Sequence, residues 1–309
     1  MGKKIIITGA TGLIGKYITQ VLSSRGDEVT VFTRSPNTAK NELPGAKEFV
    51  KWDSYDKTGE WQRHIEGKDA ILHLAGEPLL GALWSNDYKE KILKSRELGT
   101  RTLVYAISRT DNKPKAFISA SAIGYYGSSE NNVTYTEESL PGDGFLAEVC
   151  KRWETEAAEA ESLGLRRASI RVGIVLDTRE GALEKLLTPF KYFMGGTVGE
   201  GNQWISWIHL IDVANIFIFA LDNDFVDGAL NAVAPNPVRM KDFMEILGGV
   251  MNRPSWLKIP EFPIKAAIGE ASVPVTEGIK VLPERTQELG YRFQFSRFED
   301  ALNDLLKSS

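Results

Sequence analysis

The residues best suited to chemistry lie at the start of the chain. Thr8-Gly9-Ala10-Thr11-Gly12-Leu13-Ile14-Gly15 spaces its glycines as G-x-x-G-x-x-G, between a β-branched run and an amphipathic stretch. A turn of this kind cradles phosphate. Gly9 permits the tight turn, Gly12 lets a pyrophosphate approach backbone N–H groups, and Gly15 lets the helix pack closely on the strand. The free N–H groups and positive helix end around Gly12 and Leu13, flanked by Thr11 and Ile14, then hold the anion. The next apolar run ends in Thr33-Arg34-Ser35. An NAD(H) site would commonly place an acid there for the ribose 2′-hydroxyl, whereas Arg34, with Ser35 beside it, suits a 2′-phosphate. NADP(H) is therefore expected over NAD(H). The plainer alternative is that Arg34 is a solvated loop residue. Asp53, in Trp52-Asp53-Ser54, could accept from an adenine amino group or simply close a turn.

Other chemistries are disfavoured by what the chain carries. One cysteine, Cys150, and three scattered histidines, His64, His73 and His209, make a Cys/His metal site improbable and an intrachain disulfide impossible. With 37 basic and 41 acidic residues the net charge is −4, so no overall positive field draws the protein to nucleic acid. The N-terminal apolar run, Ile5-Ile6-Ile7, is far short of a signal peptide or the ~20 residues of a membrane span. The expectation is a cytoplasmic protein whose partner is a small molecule, with no nucleic acid, membrane or metal involved.

The elements that must position these residues follow the pattern of the chain. Lys4–Ile7, Glu28–Thr33, Glu48–Lys51, Ala70–Leu74, Ala116–Ser119 and Arg167–Val172 read as buried strands, and 13–25, 59–66, 86–110 and 145–162 as helices. That alternation predicts an α/β fold: a Rossmann-type, doubly wound parallel sheet with ligands at the carboxyl ends of its strands. Past about residue 175 the pattern loosens. Gly195–Gly201 must be a loop, and prolines at 235, 237, 254, 260, 263, 274 and 283 cut the chain into short pieces. The division expected is 1–175 for the NADP(H)-binding domain and 176–309 for a smaller, mostly helical substrate-capping subdomain, with crossings between them. A capping box, Ser296 with Glu299, would open the last helix, whose apolar face is Leu302, Leu305 and Leu306.

The chain resembles the short-chain dehydrogenase/reductase superfamily. Thr8–Gly15 is similar to its glycine motif, His73-Leu74-Ala75-Gly76 to its fourth-strand segment, and Ser119-Ala120-Ser121-Ala122 to its fifth-strand serine segment. More narrowly, it resembles the atypical epimerase-like subgroup that carries a sugar-nucleotide epimerase label and a C-terminal domain of unknown function. Ser119–Gly127, Phe145-Leu146-Ala147 with Cys150, Trp153 and Glu154, Gly195–Asp212, Asn231–Pro237, Arg253-Pro254 and Gly269-Glu270 carry that likeness over nearly the whole chain. One departure is Ala82-Leu83-Trp84-Ser85, where the subgroup has a basic pair before Trp-Thr.

What the resemblance implies is cofactor contact from Leu74, Ala75, Gly76 and Ser119, and a helix bearing a proton-donating tyrosine and a lysine one turn on. Aligned on Glu154, those two positions hold Leu146 and Cys150, so the usual relay is missing. Ser121 keeps the serine place. Tyr125 and Tyr126, on the loop after it, could donate a proton, pack, or bind substrate. Cys150 is either a low-pKa thiol or a buried inert one. Arg171 is a candidate for an anionic ligand, Trp204 for a lid that stacks on substrate, and His209, in W-x-H-x-x-D, for a pocket wall. Two functions compete: an NADP(H)-dependent oxidoreductase or epimerase acting on a nucleotide-linked or other hydroxylated small molecule, and a non-catalytic NADP(H)-binding sensor or partner-binding module.

Overall fold

The computed structural model describes residues 2–79, 81–128, 133–260, 262 and 277–307. The first half runs β1 (Lys4–Thr8), α1 (Leu13–Ser24), β2 (Glu28–Thr33), α2 (Pro36–Glu42), β3 (Glu48–Lys51), β4 (Ala70–His73), α3 (Asn86–Ser108), β5 (Ala116–Ala122), β6 (Thr134–Tyr135), α4 (Phe145–Ser162) and β7 (Arg166–Val172). The helix expected over 59–66 is a 3-10 turn, Glu60–Ile65, with Trp61 and Ile65 buried.

Among the described residues, seven strands form one parallel sheet. Its apolar runs are continuous because both faces are covered. Ile5, Ile7, Val29, Val31, Leu72 and Ile118 face one buried layer, and their neighbours Ile6, Phe32, Ile71 and Phe117 face the other. The order outward from β1 is β2, β3 on one side and β4, β5, β7 on the other. The order therefore reverses direction at β1 and β4, and a crevice opens at their carboxyl ends.

The second half continues with β8 (Ile174–Leu176), α5 (Ala182–Lys191), β9 (Gly195–Val198), β10 (Trp204–Ile205), β11 (Trp207–His209), α6 (Leu210–Asp222), β12 (Gly228–Ala232), β13 (Val238–Arg239), α7 (Met240–Met251), β14 (Ser255–Ile259), β15 (Lys280–Val281), α8 (Glu284–Glu288) and α9 (Phe298–Lys307). The chain returns to the main sheet here: β12 is its seventh strand, beside β7, and α6 packs into the same apolar layer as α1. Among the described residues the remaining strands pair in twos. Within the stretch expected to be loop, Gly195–Val198 pairs with β14.

A second core gathers Leu183, Leu187, Phe190, Trp207, Phe243, Leu247, Phe298 and Leu302 under α5, α7 and α9. Helix α9 begins at Phe298, and Ala301 N–H bonds to Arg297 O at 3.2 Å, so Arg297 and not Ser296 stands at its cap. Ser296 O instead accepts from Asn236 at 3.0 Å. Leu302, Leu305 and Leu306 do pack inward. Gly269-Glu270 and the prolines at 263 and 274 lie outside the described residues.

Candidate functional site

The glycine turn closes at the β1 end of the crevice. Gly9 takes φ +68°, and a Cβ on it would lie 2.7 Å from the Leu74 carbonyl carbon. A Cβ on Gly15 would lie 2.3 Å from Gly9 O. Both positions admit glycine alone. Gly12 differs: a Cβ there would meet only Gly9 O, at 3.4 Å, so its outer face is open. Gly12 caps α1 without a side-chain bond, and Lys16 N–H is the first to reach back, to Gly12 O at 2.9 Å. The amides of Leu13, Ile14 and Gly15 therefore have no helical acceptor and sit at the positive end of the helix. An open backbone cradle of unpaired N–H groups fits a pyrophosphate.

Leu74 and Ala75 back this cradle. Leu74 N–H bonds to Thr8 O, and Ala75 N–H to Thr8 Oγ1, each at 3.2 Å. Thr8 Oγ1 lies 2.7 Å from His73 Nδ1, and His73 Nε2 lies 3.1 Å from Thr100 Oγ1, which donates to Arg96 O. Burial, aided by Arg96, pushes the His73 pKa down to about 3, so the ring is neutral. At the β2 end, Arg34 and Ser35 are exposed. Asp53 is exposed too, and its Oδ1 accepts from Tyr55 N–H at 2.9 Å, the turn-closing role. Tyr55 went unnoticed in the sequence. Burial raises its phenol pKa, with Glu77 and Asp53 acting the same way and Lys94 and Arg34 against, so this half-exposed ring sits among the Arg34 and Asp53 charges.

From the cradle a cavity of about 360 Å³ extends across the carboxyl ends of β5 and β7. Ile14 lines its near end, Ser121 and Val172 its floor, Leu146, Cys150 and Trp153 of α4 one wall, and Trp204 and Ile279 the far wall. Leu146 and Cys150 thus both face it. Trp207 is wholly buried core, its Nε1 bonded to Asn236 O at 2.9 Å.

Several residues expected to act on ligands are bound to one another instead. Glu154 accepts from Ser121 Oγ at 2.6 Å and from Arg171 Nε and Nη2 at 2.9 and 2.8 Å. Arg171 Nη1 donates to Tyr126 Oη at 2.9 Å, and Tyr126 donates to Asn231 Oδ1 at 2.7 Å. Burial disfavours the Arg171 charge, but hydrogen bonding to Glu154 holds its pKa above the ordinary value. Arg171 is therefore a neutralised internal cation and is not free to bind an anion. Tyr126 is 1 % exposed, and burial pushes its phenol up to about 12. It is a poor proton donor with both hydrogen-bonding functions spent. The Tyr125 ring lies under the Arg171 guanidinium, 3.5 Å from centroid to Cζ, and is not part of the cavity lining.

Cys150 is buried and directs Sγ to Ala122 O at 3.6 Å; burial first, then Glu154, pushes its thiol up to about 11. Of the two alternatives for Cys150, this environment fits the buried inert thiol. Ser119 lies one pleat deeper than Ser121, its side chain wholly buried and its Oγ 3.5 Å from Ser169 Oγ. His209 is no pocket wall: its Nδ1 caps α6 by accepting from Ile211 N–H at 3.1 Å, and its ring stacks on Phe295. Ser85, in the departing segment, caps α3 through Tyr88 N–H at 3.2 Å. Gly76 shows a role the sequence did not reveal: a Cβ there would come within 3.0 Å of Arg96 Cζ, a guanidinium that lines the cavity.

A seven-stranded parallel sheet with a glycine cradle at its switch point and a capped cavity beside it defines a Rossmann-type dinucleotide-binding protein. Residues 5–232 match the profile of the NAD dependent epimerase/dehydratase family and residues 259–305 that of a domain of unknown function, DUF1731. The chain belongs to that epimerase/dehydratase family. The chain is 40% identical over 305 residues to the Arabidopsis thaliana epimerase family protein SDR39U1 homolog, chloroplastic, covering 98% of this chain and 86% of that one. It is 38% identical over 304 residues to the Bacillus subtilis epimerase family protein YfhF, covering 98% and 97%. The crystal structure of human epimerase family protein SDR39U1 (isoform 2) with NADPH is similar throughout: TM-score 0.88, 31% identity, 99% of this chain and 100% of that one. Among the described residues no helix is long and apolar enough to cross a membrane, and no cluster of His, Cys, Asp or Glu is placed to hold a metal.

Proposed function

We propose that this protein binds NADP(H) in preference to NAD(H) and exchanges hydride with a small hydroxylated or carbonyl compound held in the 360 Å³ cavity. The observation that carries this reading is continuity: one cavity runs from Ile14, on the pyrophosphate cradle, past Ser121 to Trp204. Gly12 through Gly15 would hold the pyrophosphate and Arg34 with Ser35 the 2′-phosphate, as NADPH bound to the human relative supports. The dinucleotide, when bound, supplies the hydride donor or acceptor. Ser121, on the cavity floor, commits its proton to Glu154 and keeps its oxygen lone pairs to accept from a substrate hydroxyl. The apolar walls exclude water, which strengthens that hydrogen bond. Leu146 and Cys150 provide no tyrosine-lysine relay and the Ser121 proton is committed to Glu154, so proton exchange falls to solvent at the rim. The expected compartment is the cytoplasm.

A second reading, a non-catalytic NADP(H) sensor, is favoured by the same Leu146 and Cys150. Incubation with NADPH carrying deuterium at C4, against a panel of aldehydes, ketones and oxidised sugar nucleotides, separates the two. Deuterium in at least one product supports the enzyme. NADPH binding without label transfer to any member supports the sensor.

A further inference from the structure

The Arg171 charge is spent on Glu154, and neither residue lines the cavity. Among the described lining residues this leaves Arg96 as the one cation and Glu277, exposed, as the one anion. Arg96 comes from the middle of α3, a position where a surface charge would be the ordinary assignment. Its guanidinium instead turns inward, 5.0 Å from the centroid of Trp153 and directly over Gly76. Nη1 donates to Glu77 O at 3.0 Å and Ile92 O at 3.1 Å, which fixes the plane of the group. Nε and Nη2 have no acceptor among the described residues, and no carboxylate among them comes within 4.0 Å; Glu77 acts on the charge only from farther off. Burial leaves the Arg96 pKa lowered, whereas at Arg171 hydrogen bonding to Glu154 outweighs the same effect.

A partly buried cation without a counter-ion is a ready site for an anionic ligand. The fork left open, Nε with Nη2, matches the two oxygens of a carboxylate or phosphate. The rest of the lining is largely apolar: Leu79, Ile123, Leu146, Val149, Trp153, Ile279.

We propose that Arg96 is the anion anchor of the cavity and that the second ligand is a small molecule with one oxyanionic group on a mainly apolar body. The inference deepens the preceding reading by naming a substrate class. A diphosphate-linked sugar fits poorly, because it presents two phosphates to one guanidinium and a polar ring to apolar walls. The oxyanion could come from such a substrate or from the dinucleotide itself, and the test is arranged to tell these apart.

Protein saturated with NADP⁺ is titrated with phenylacetate and hexanoate and with their neutral amides, and NADPH binding is measured separately by its fluorescence. The acids should bind about ten- to a hundredfold tighter than the amides, the range of charge-assisted hydrogen bonding. Arg96→Gln should erase that preference with NADPH affinity unchanged, and Arg96→Lys, which keeps the charge and loses the fork, should retain part of it. Equal binding of acids and amides by the unmutated protein overturns the proposal, as does acid preference that survives Arg96→Gln. A tenfold loss of NADPH affinity in Arg96→Gln would assign the guanidinium to the dinucleotide and overturn it too. If Arg96→Gln fails to fold, the Lys variant decides: full acid preference with lysine refutes the fork. Failure of NADPH to bind at all would strike the preceding reading and leave the acid-amide comparison standing.

Discussion

Arg171→Met probes whether the central cation is structural or binds ligand, because the two roles predict different losses. Arg171 makes two hydrogen bonds to Glu154 and one to Tyr126, and its side chain is 5 % exposed against 12 % for Glu154. Removing it leaves the Glu154 carboxylate buried with Ser121 as its remaining donor. Breaking such a pair from one side costs ~3–5 kcal/mol. At about 2–4 °C per kcal/mol this lowers the melting temperature by about 6–20 °C. Adding Glu154→Leu removes the orphaned charge and should recover most of the loss, since an apolar replacement of both partners is often near neutral. Urea unfolding of the two single variants and the double variant measures the coupling, and NADPH fluorescence measures binding beside it. A variant with unchanged stability that no longer binds ligand would refute the structural assignment and restore Arg171 as a ligand group.

Two other perturbations test neighbouring parts of the account. Arg34→Ala should weaken NADPH binding about tenfold, the worth of one charge-assisted hydrogen bond, and leave NADH unchanged; equal affinities of the unmutated protein for both dinucleotides would remove the case for Arg34. His73 is neutral in the fold, with its pKa held at about 3 against an ordinary 6.5. Its contribution is complete above pH 6.5 and falls as pH drops toward 3, by about 1.4 kcal/mol per unit. Between pH 7 and pH 5 the protein should lose about 2 kcal/mol through this residue. Unfolding measured at both pH values for the unmutated protein and His73→Asn should show that difference, and identical pH dependence of the two would contradict it.

Much of the first half was legible because its determinants are local. Continuous apolar runs such as Ile5-Ile6-Ile7 mark strands buried on both faces, and Gly9 and Gly15 are forced by contacts inside a single β-α turn. The seventh strand, Gly228–Ala232, was not legible, since Gly-Ala-Leu-Asn-Ala carries little strand propensity and owes its state to pairing with β7. The site divided the same way. Arg171 was recognised as a buried cation in need of a partner, but that partner, Glu154, sits on another element and had served only to align a helix. Tyr126 and Tyr125 lie at the expected end of the sheet, yet contacts with Asn231 and Arg171, made through tertiary structure, turn them away from chemistry. Arg96 had no ligand role assigned from the sequence, because an arginine within a helix is ordinarily solvated, and only the packing over Gly76 and Trp153 shows otherwise.

The central claim is that the opening beside Gly12 receives the dinucleotide. Gly12 has φ −78° and a Cβ there would touch only Gly9 O, so Gly12→Ala leaves the fold intact at a cost within about 1 kcal/mol at this cap position while placing a methyl group where the pyrophosphate must approach. Calorimetric titration of the purified variant with NADPH measures this directly. Affinity reduced at least a hundredfold, with the melting temperature close to that of the unmutated protein, is the result expected. Undiminished NADPH binding by the folded variant would contradict the account.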